Sequence, residues 1–216
     1  MDFKAIQANN PKLPIIHADD PAFAAYGEVL SLNTQAYLQY AEQSIIIPDS
    51  GVDYTEEDPA LAGFHKEKAW LENNVYGQMP IAVGYCAGHN RIMNGMEWHH
   101  GCEVNVAFTD VVLFLAPFSS LKGRRDQLKL DSADVQAVYV PRGYAVALDP
   151  LVLHFTPIEV EQSGFSVLVA LPKHTNEALK EPAQNPYLKA RNSWIIYHKD
   201  TGRGDDFDGE NLQLRL

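Results

Sequence analysis

The chain has 216 residues, 46% of them hydrophobic, which suffices for one sizeable core. Acidic residues outnumber basic ones 28 to 17, a net charge of −11 that argues against nucleic acid or an anionic membrane as a partner, because phosphate binding needs clustered positive charge. Cys86 and Cys102 make no disulfide framework, Met1-Asp-Phe-Lys4 opens no apolar signal region, and no run approaches the ~18 apolar residues of a membrane span, so a cytoplasmic protein is expected.

Three zones follow along the chain. Residues 1–75 read as a mixed region. A capped turn of helix is expected over Pro21–Gly27 after Asp19 and Asp20, with helices over Thr34–Gln43 and Asp58–Asn73. Residues 80–172 change to short β runs at Pro80–Cys86, Arg91–His99, Glu103–Phe108, Asp110–Ala116, Gln136–Val140, Tyr144–Leu148, Leu151–Ile158 and Phe165–Leu171. Asp110–Ala116 is apolar on both faces and therefore belongs at the centre of a sandwich. Charged Lys122–Ala133 reads as a surface excursion. The C-terminal extension, residues 173–216, contains one more predicted strand over Ala190–His198, and its Gly- and Asp-rich run at 200–209 lacks the ligand spacing of an EF-hand loop. The whole reads as a single domain, an antiparallel sandwich or barrel.

The chemistry concentrates in Glu97-Trp-His-His-Gly-Cys-Glu103 and in His154. Alternate side chains on a strand share a face, so Glu97 and His99 point the same way, and a short turn brings Glu103 back to that face. His100 faces the other side unless a bulge slips the register. His154, between apolar Leu153 and Phe155, points inside with Val152 and Thr156, where a histidine needs a hydrogen-bond or metal partner. Mixed imidazole and carboxylate ligands suit a divalent zinc, manganese, iron or nickel ion, so Glu97, His99, Glu103 and His154 are the expected metal ligands.

Glu97-Trp-His99, three residues, then Glu103, followed by the turn Pro141-Arg-Gly143, resembles the paired motifs of the cupin superfamily, with Glu97 where the first His usually stands. Where the late cupin His falls, this chain has Val146, and His154 is the nearest substitute. More closely, the chain resembles a bacterial cupin-like family catalogued only as a domain of unknown function. That resemblance rests on Phe23–Val29, Val75–Ile81, Gly84–Asn90, Glu97–His99, Glu103–Ala107, Leu153–Pro157, Leu171–Lys173 and Ala190–Trp194. It implies a mainly β fold, a cupin jelly-roll sandwich or barrel, and leaves the reaction open.

Around the ligands, His89, Lys173 and Glu97 are candidate acid/base groups, and Tyr85, Asn105 and Arg191 are candidate substrate contacts. Arg191 and Trp194 are placed to cover the opening or to join two copies as a homodimer. Cupin sugar isomerases are similar in ligand type, so the expected function is a metal-dependent isomerase or epimerase of a sugar or sugar acid, with a small carbohydrate as the substrate partner. A ureidoglycolate-type lyase and a non-enzymatic sugar- or metal-binding cupin are the rivals. An iron dioxygenase fits less well, since a second carboxylate departs from the two-His, one-carboxylate face.

Overall fold

The computed structural model describes residues 2–124 and 126–216. Helix α1 (Phe3–Asn9) starts where the Asp2 carboxylate accepts the Ala5 N–H. Strands β1 (Ile15–His17) and β2 (Gly27–Val29) flank a single 3-10 turn at Pro21–Ala25, where a capped helical turn is expected. Helix α2 (Gln35–Ser44) buries Tyr37 and Ala41, one turn apart on a single face. After β3 (Val52–Thr55), the helix expected over Asp58–Asn73 is two: α3 (Pro59–Ala62), capped by Asp58, and α4 (His65–Asn74). The break falls at Gly63, whose N–H closes the short first helix onto Pro59 and Ala60.

The β region comprises β4 (Ile81–Gly88), β5 (Gly95–Trp98), β6 (Glu103–Ala107), β7 (Val111–Leu115), β8 (Lys122–Arg124), β9 (Gln127–Asp131), β10 (Gln136–Val140), β11 (Ala145–Leu148), β12 (Ile158–Glu159) and β13 (Phe165–Pro172). The extension adds β14 (Leu188–Ala190), β15 (Ser193–Tyr197) and β16 (Phe207–Asp208). A four-stranded sheet, β1-β10-β7-β12, faces a six-stranded sheet, β2-β11-β6-β13-β4-β3. Within these two sheets pairing is antiparallel except where β1 joins β10.

Three apolar layers hold this arrangement. Leu113, Leu115 and Val138 meet Val146, Phe165 and Val167 between the two sheets. The outer face of the six-stranded sheet, with Val83, Val104 and Leu168, is covered by Tyr37, Leu61 and Leu71 of the helices. The outer face of the four-stranded sheet, with Val112, Phe114 and Ala137, packs on Met96, Trp98 and Ile196 of a third sheet, β14-β15-β5. Strand β7 therefore contributes to two cores at once, which is why both of its faces are apolar.

The sandwich closes no barrel: β2 and β3 edge one sheet, β1 and β12 the other. Much of the reason lies in Leu151–Ile158, read as one strand from sequence. Leu151 sits at φ 68, Pro157 has no N–H, and between them only isolated pairings form, Leu153 with Ala116 and His154 with Glu97. Within the segment read as a surface excursion, β8 and β9 pair antiparallel, and Leu130 of β9 reaches the outer core. No helix among the described residues is long and apolar enough to cross a membrane, and both cysteines are free thiols.

Candidate metal centre

Strand β5 sends Met96 and Trp98 into the outer apolar layer, so Glu97 and His99 turn the other way. Glu97 and His154 exchange both backbone hydrogen bonds (2.6 and 3.0 Å), which sets them side by side across an antiparallel pair. The turn at 99–102 then leads into β6, where Glu103 and Asn105 face inward while Val104 and Val106 face the helices.

One ligand atom from each of Glu97, His99 and His154 lies within 4.8 Å of the others, a triad able to hold a metal ion. Glu103 joins the two imidazoles: its Oε2 is 3.1 Å from His154 Nε2 and 3.5 Å from His99 Nε2. Two ligands each ~2.0–2.1 Å from a tetrahedral ion stand about 3.3–3.4 Å apart, so these separations match the edges of a coordination shell. Both rings are already oriented. His99 Nδ1 donates to the Asn192 carbonyl (2.8 Å) and His154 Nδ1 to that of Val152 (2.9 Å), which turns each Nε2 toward the centre. His99 is 1% exposed, yet its Nε2 has no hydrogen-bond partner. A buried ring nitrogen facing a carboxylate without a bond is a costly arrangement that a cation would satisfy. The donor set fits a divalent ion held by two imidazoles and one or two carboxylates.

Burial alone would raise the Glu103 pKa, but the adjacent His154 and His99 hold its carboxyl well below the usual range. Burial would likewise lower His154, yet the Glu103 carboxylate more than offsets it and pushes the imidazole up to about 9. Without a cation the two form a buried ion pair, His154 donating from both nitrogens. Asn105 Nδ2 steadies the other Glu103 oxygen (2.9 Å), and the Ser193 hydroxyl donates to Glu97 Oε2 (3.3 Å).

A cavity of about 270 Å³ opens onto this group. The six-stranded sheet contributes Tyr54, Cys86, Glu103, Asn105 and Val169 to its wall, and the opposite side contributes Glu97, Phe155, Thr156, Ser193 and Ile195. Burial, reinforced by Glu103 and Glu97, pushes the Cys86 thiol up to about 12, so it stays protonated and is no nucleophile at neutral pH.

Of the residues singled out from sequence, Glu97, His99, Glu103, His154 and Asn105 are brought together here. The others lie elsewhere. Tyr85 packs against the helix-side core, and its neighbour Cys86 faces the cavity instead. His89 Nδ1 is paired at 2.7 Å with buried Glu159, which also binds Arg91. Lys173 pairs with Glu57, and Arg191 with Glu177. His100 is exposed and stacks on Trp194 with ring centroids 4.6 Å apart. Val146 is fully buried in the central core. Sequence reading misses Tyr54, Asn176, Asn192 and Ser193, which arrive from other segments and carry no local spacing signal.

The fold and the site define a mainly β protein with a candidate metal centre buried beside an open cavity. The chain belongs to the family described as a domain of unknown function, DUF4867, whose model matches residues 15–209. Comparison with curated proteins gives no match.

Proposed function

We propose that this chain is a metal-dependent enzyme of cupin type that isomerises or epimerises a sugar or sugar acid. The observation that carries this reading is the buried, unpartnered Nε2 of His99 facing His154, Glu103 and Glu97 at a cavity wall. A divalent zinc, manganese, iron or nickel ion held there supplies Lewis acidity toward a carbonyl and its neighbouring hydroxyl. The chain's own groups do the rest. At about 270 Å³, just under the usual range for ligand pockets, the cavity suits a molecule of monosaccharide size. Tyr54, Asn176 and Thr156 offer hydrogen bonds to hydroxyl groups, while Phe155, Pro157 and Ile195 exclude water. With His99, His154 and Glu103 as the ligands, Glu97, half-buried and oriented by Ser193, is the group placed to take a proton from a substrate carbon and return it.

The non-enzymatic alternative, a sugar- or metal-binding cupin, draws on one observation. His89 and Lys173 are committed to Glu159 and Glu57, so if Glu97 is spent as a ligand the cavity loses its clearest base. Incubating metal-loaded protein in deuterated water with pentoses, hexoses, uronates and their phosphates separates the two. Isomerisation or epimerisation carries solvent deuterium into the sugar, and Glu97→Gln abolishes it. Binding of a sugar with neither deuterium uptake nor change of identity selects the alternative.

A further inference from the structure

We propose that Asn192, in the turn between β14 and β15, and Ser193, the first residue of β15, are positioning residues that hold His99 and Glu97 in the orientation a divalent cation requires; the inference rests on the metal-centre reading. Two consecutive residues of the C-terminal extension touch two members of the triad. The Asn192 carbonyl accepts His99 Nδ1–H at 2.8 Å, fixing which ring nitrogen points inward. The Ser193 hydroxyl donates to Glu97 Oε2 at 3.3 Å, leaving Oε1 for a cation or a proton.

The turn is itself held by two hydrogen bonds of the Asn192 side chain. Asn192 Oδ1 accepts the N–H of His100, the residue next to the ligand, at 2.9 Å. Its Nδ2 donates to Thr175 Oγ1 at 3.0 Å, and Thr175 is 2% exposed. Ser193 is 1% exposed, so its hydroxyl has little freedom to bond elsewhere. Asn192 adopts φ 54, a left-handed conformation that asparagine tolerates better than most residues. The same conformation recurs at His174 (φ 74) and Asn176 (φ 71) on the segment that Asn192 grips. Backbone of this kind persists only where its surroundings fix it. Here what is fixed is the carbonyl that orients His99.

Partners that orient metal ligands are worth roughly 10–100-fold in metal affinity. The test is a cobalt(II) titration of the full chain against a competing chelator, read by visible absorption. Asn192→Gly keeps the backbone conformation and carbonyl but releases the grip on His100 and Thr175. Ser193→Ala removes the donor to Glu97. Each is expected to weaken cobalt binding roughly 10–100-fold and to alter the cobalt spectrum. Asn192→Asp, which keeps the His100 acceptor, and Ser193→Thr, which keeps the hydroxyl, are expected to recover most of the affinity and the original spectrum. Circular dichroism of each metal-free variant separates loss of fold from loss of positioning, and the truncation that folds decides the matter if the other does not. Equal affinity and identical spectra across the variants overturn this inference alone. Failure of the unaltered chain to bind cobalt overturns it together with the metal centre.

Discussion

His99 and His154 both turn Nε2 toward the same centre, but their surroundings in the metal-free chain differ. His154 Nε2 hydrogen-bonds the buried Glu103 carboxylate, whereas His99 Nε2 lies 3.5 Å from it and makes no hydrogen bond. Removing one member of a buried ion pair strands the other charge and costs about 3–5 kcal/mol. His154→Ala is therefore expected to destabilise the metal-free protein by about that amount. His99→Ala, which gives up one hydrogen bond to Asn192, is expected to cost less, and both are expected to abolish tight metal binding. Urea denaturation of the two variants in chelator checks the order; a larger loss for His99→Ala contradicts the charge assignment. The local run Glu97–Glu103 made these residues legible, because strand alternation gives phase when one neighbour face is apolar. Tyr85 was misplaced for the opposite reason. Strand β4 is buried on both faces nearly throughout, so its pattern has no phase to read, and Cys86 takes the inward position.

At the scale of elements, continuous apolar runs and clean alternation were the readable signals. Strand β7 is central and sandwiched between two cores, as its sequence requires. Leu115 is fully buried there, so Leu115→Ala is expected to cost about 2–5 kcal/mol in denaturant unfolding while leaving metal stoichiometry unchanged. A change in stoichiometry would tie the core to the site more closely than the contacts indicate. The segment 151–158 was harder. Its alternation correctly sent His154 inward, yet the ladder fails around it because Leu151 and Pro157 interrupt the extended backbone. The β8–β9 pair was hidden by its charged residues, which belong to an exposed ribbon carrying a single fully buried leucine, Leu130. The largest omission was the pair Asn192 and Ser193, some 90 residues from the motif it supports. Nothing in a local pattern announces a contact of that range.

For the molecule as a whole, the buried Glu103–His154 pair links stability, pH and metal. His154 is raised from 6.5 to about 9 on folding, so its contribution is complete below pH 6.5 and is lost as pH climbs through 9. Glu103 is lowered from 4.5, so its contribution is present above that value and fades only in strong acid. The metal-free protein is expected to lose thermal stability between pH 6.5 and 9. A cation must displace the proton on His154 Nε2, so metal binding strengthens over the same interval and releases about one proton per ion near pH 7. Titration calorimetry in buffers of different ionisation enthalpy measures that proton; zero release means His154 is not a ligand.

If His99 and His154, with the carboxylates beside them, hold one cation, the metal content of the protein shows it. Protein loaded with zinc and then dialysed is expected to retain one zinc per chain by elemental mass spectrometry, with His99→Ala and His154→Ala both retaining almost none. Equal zinc in the unaltered chain and in both variants would contradict the account.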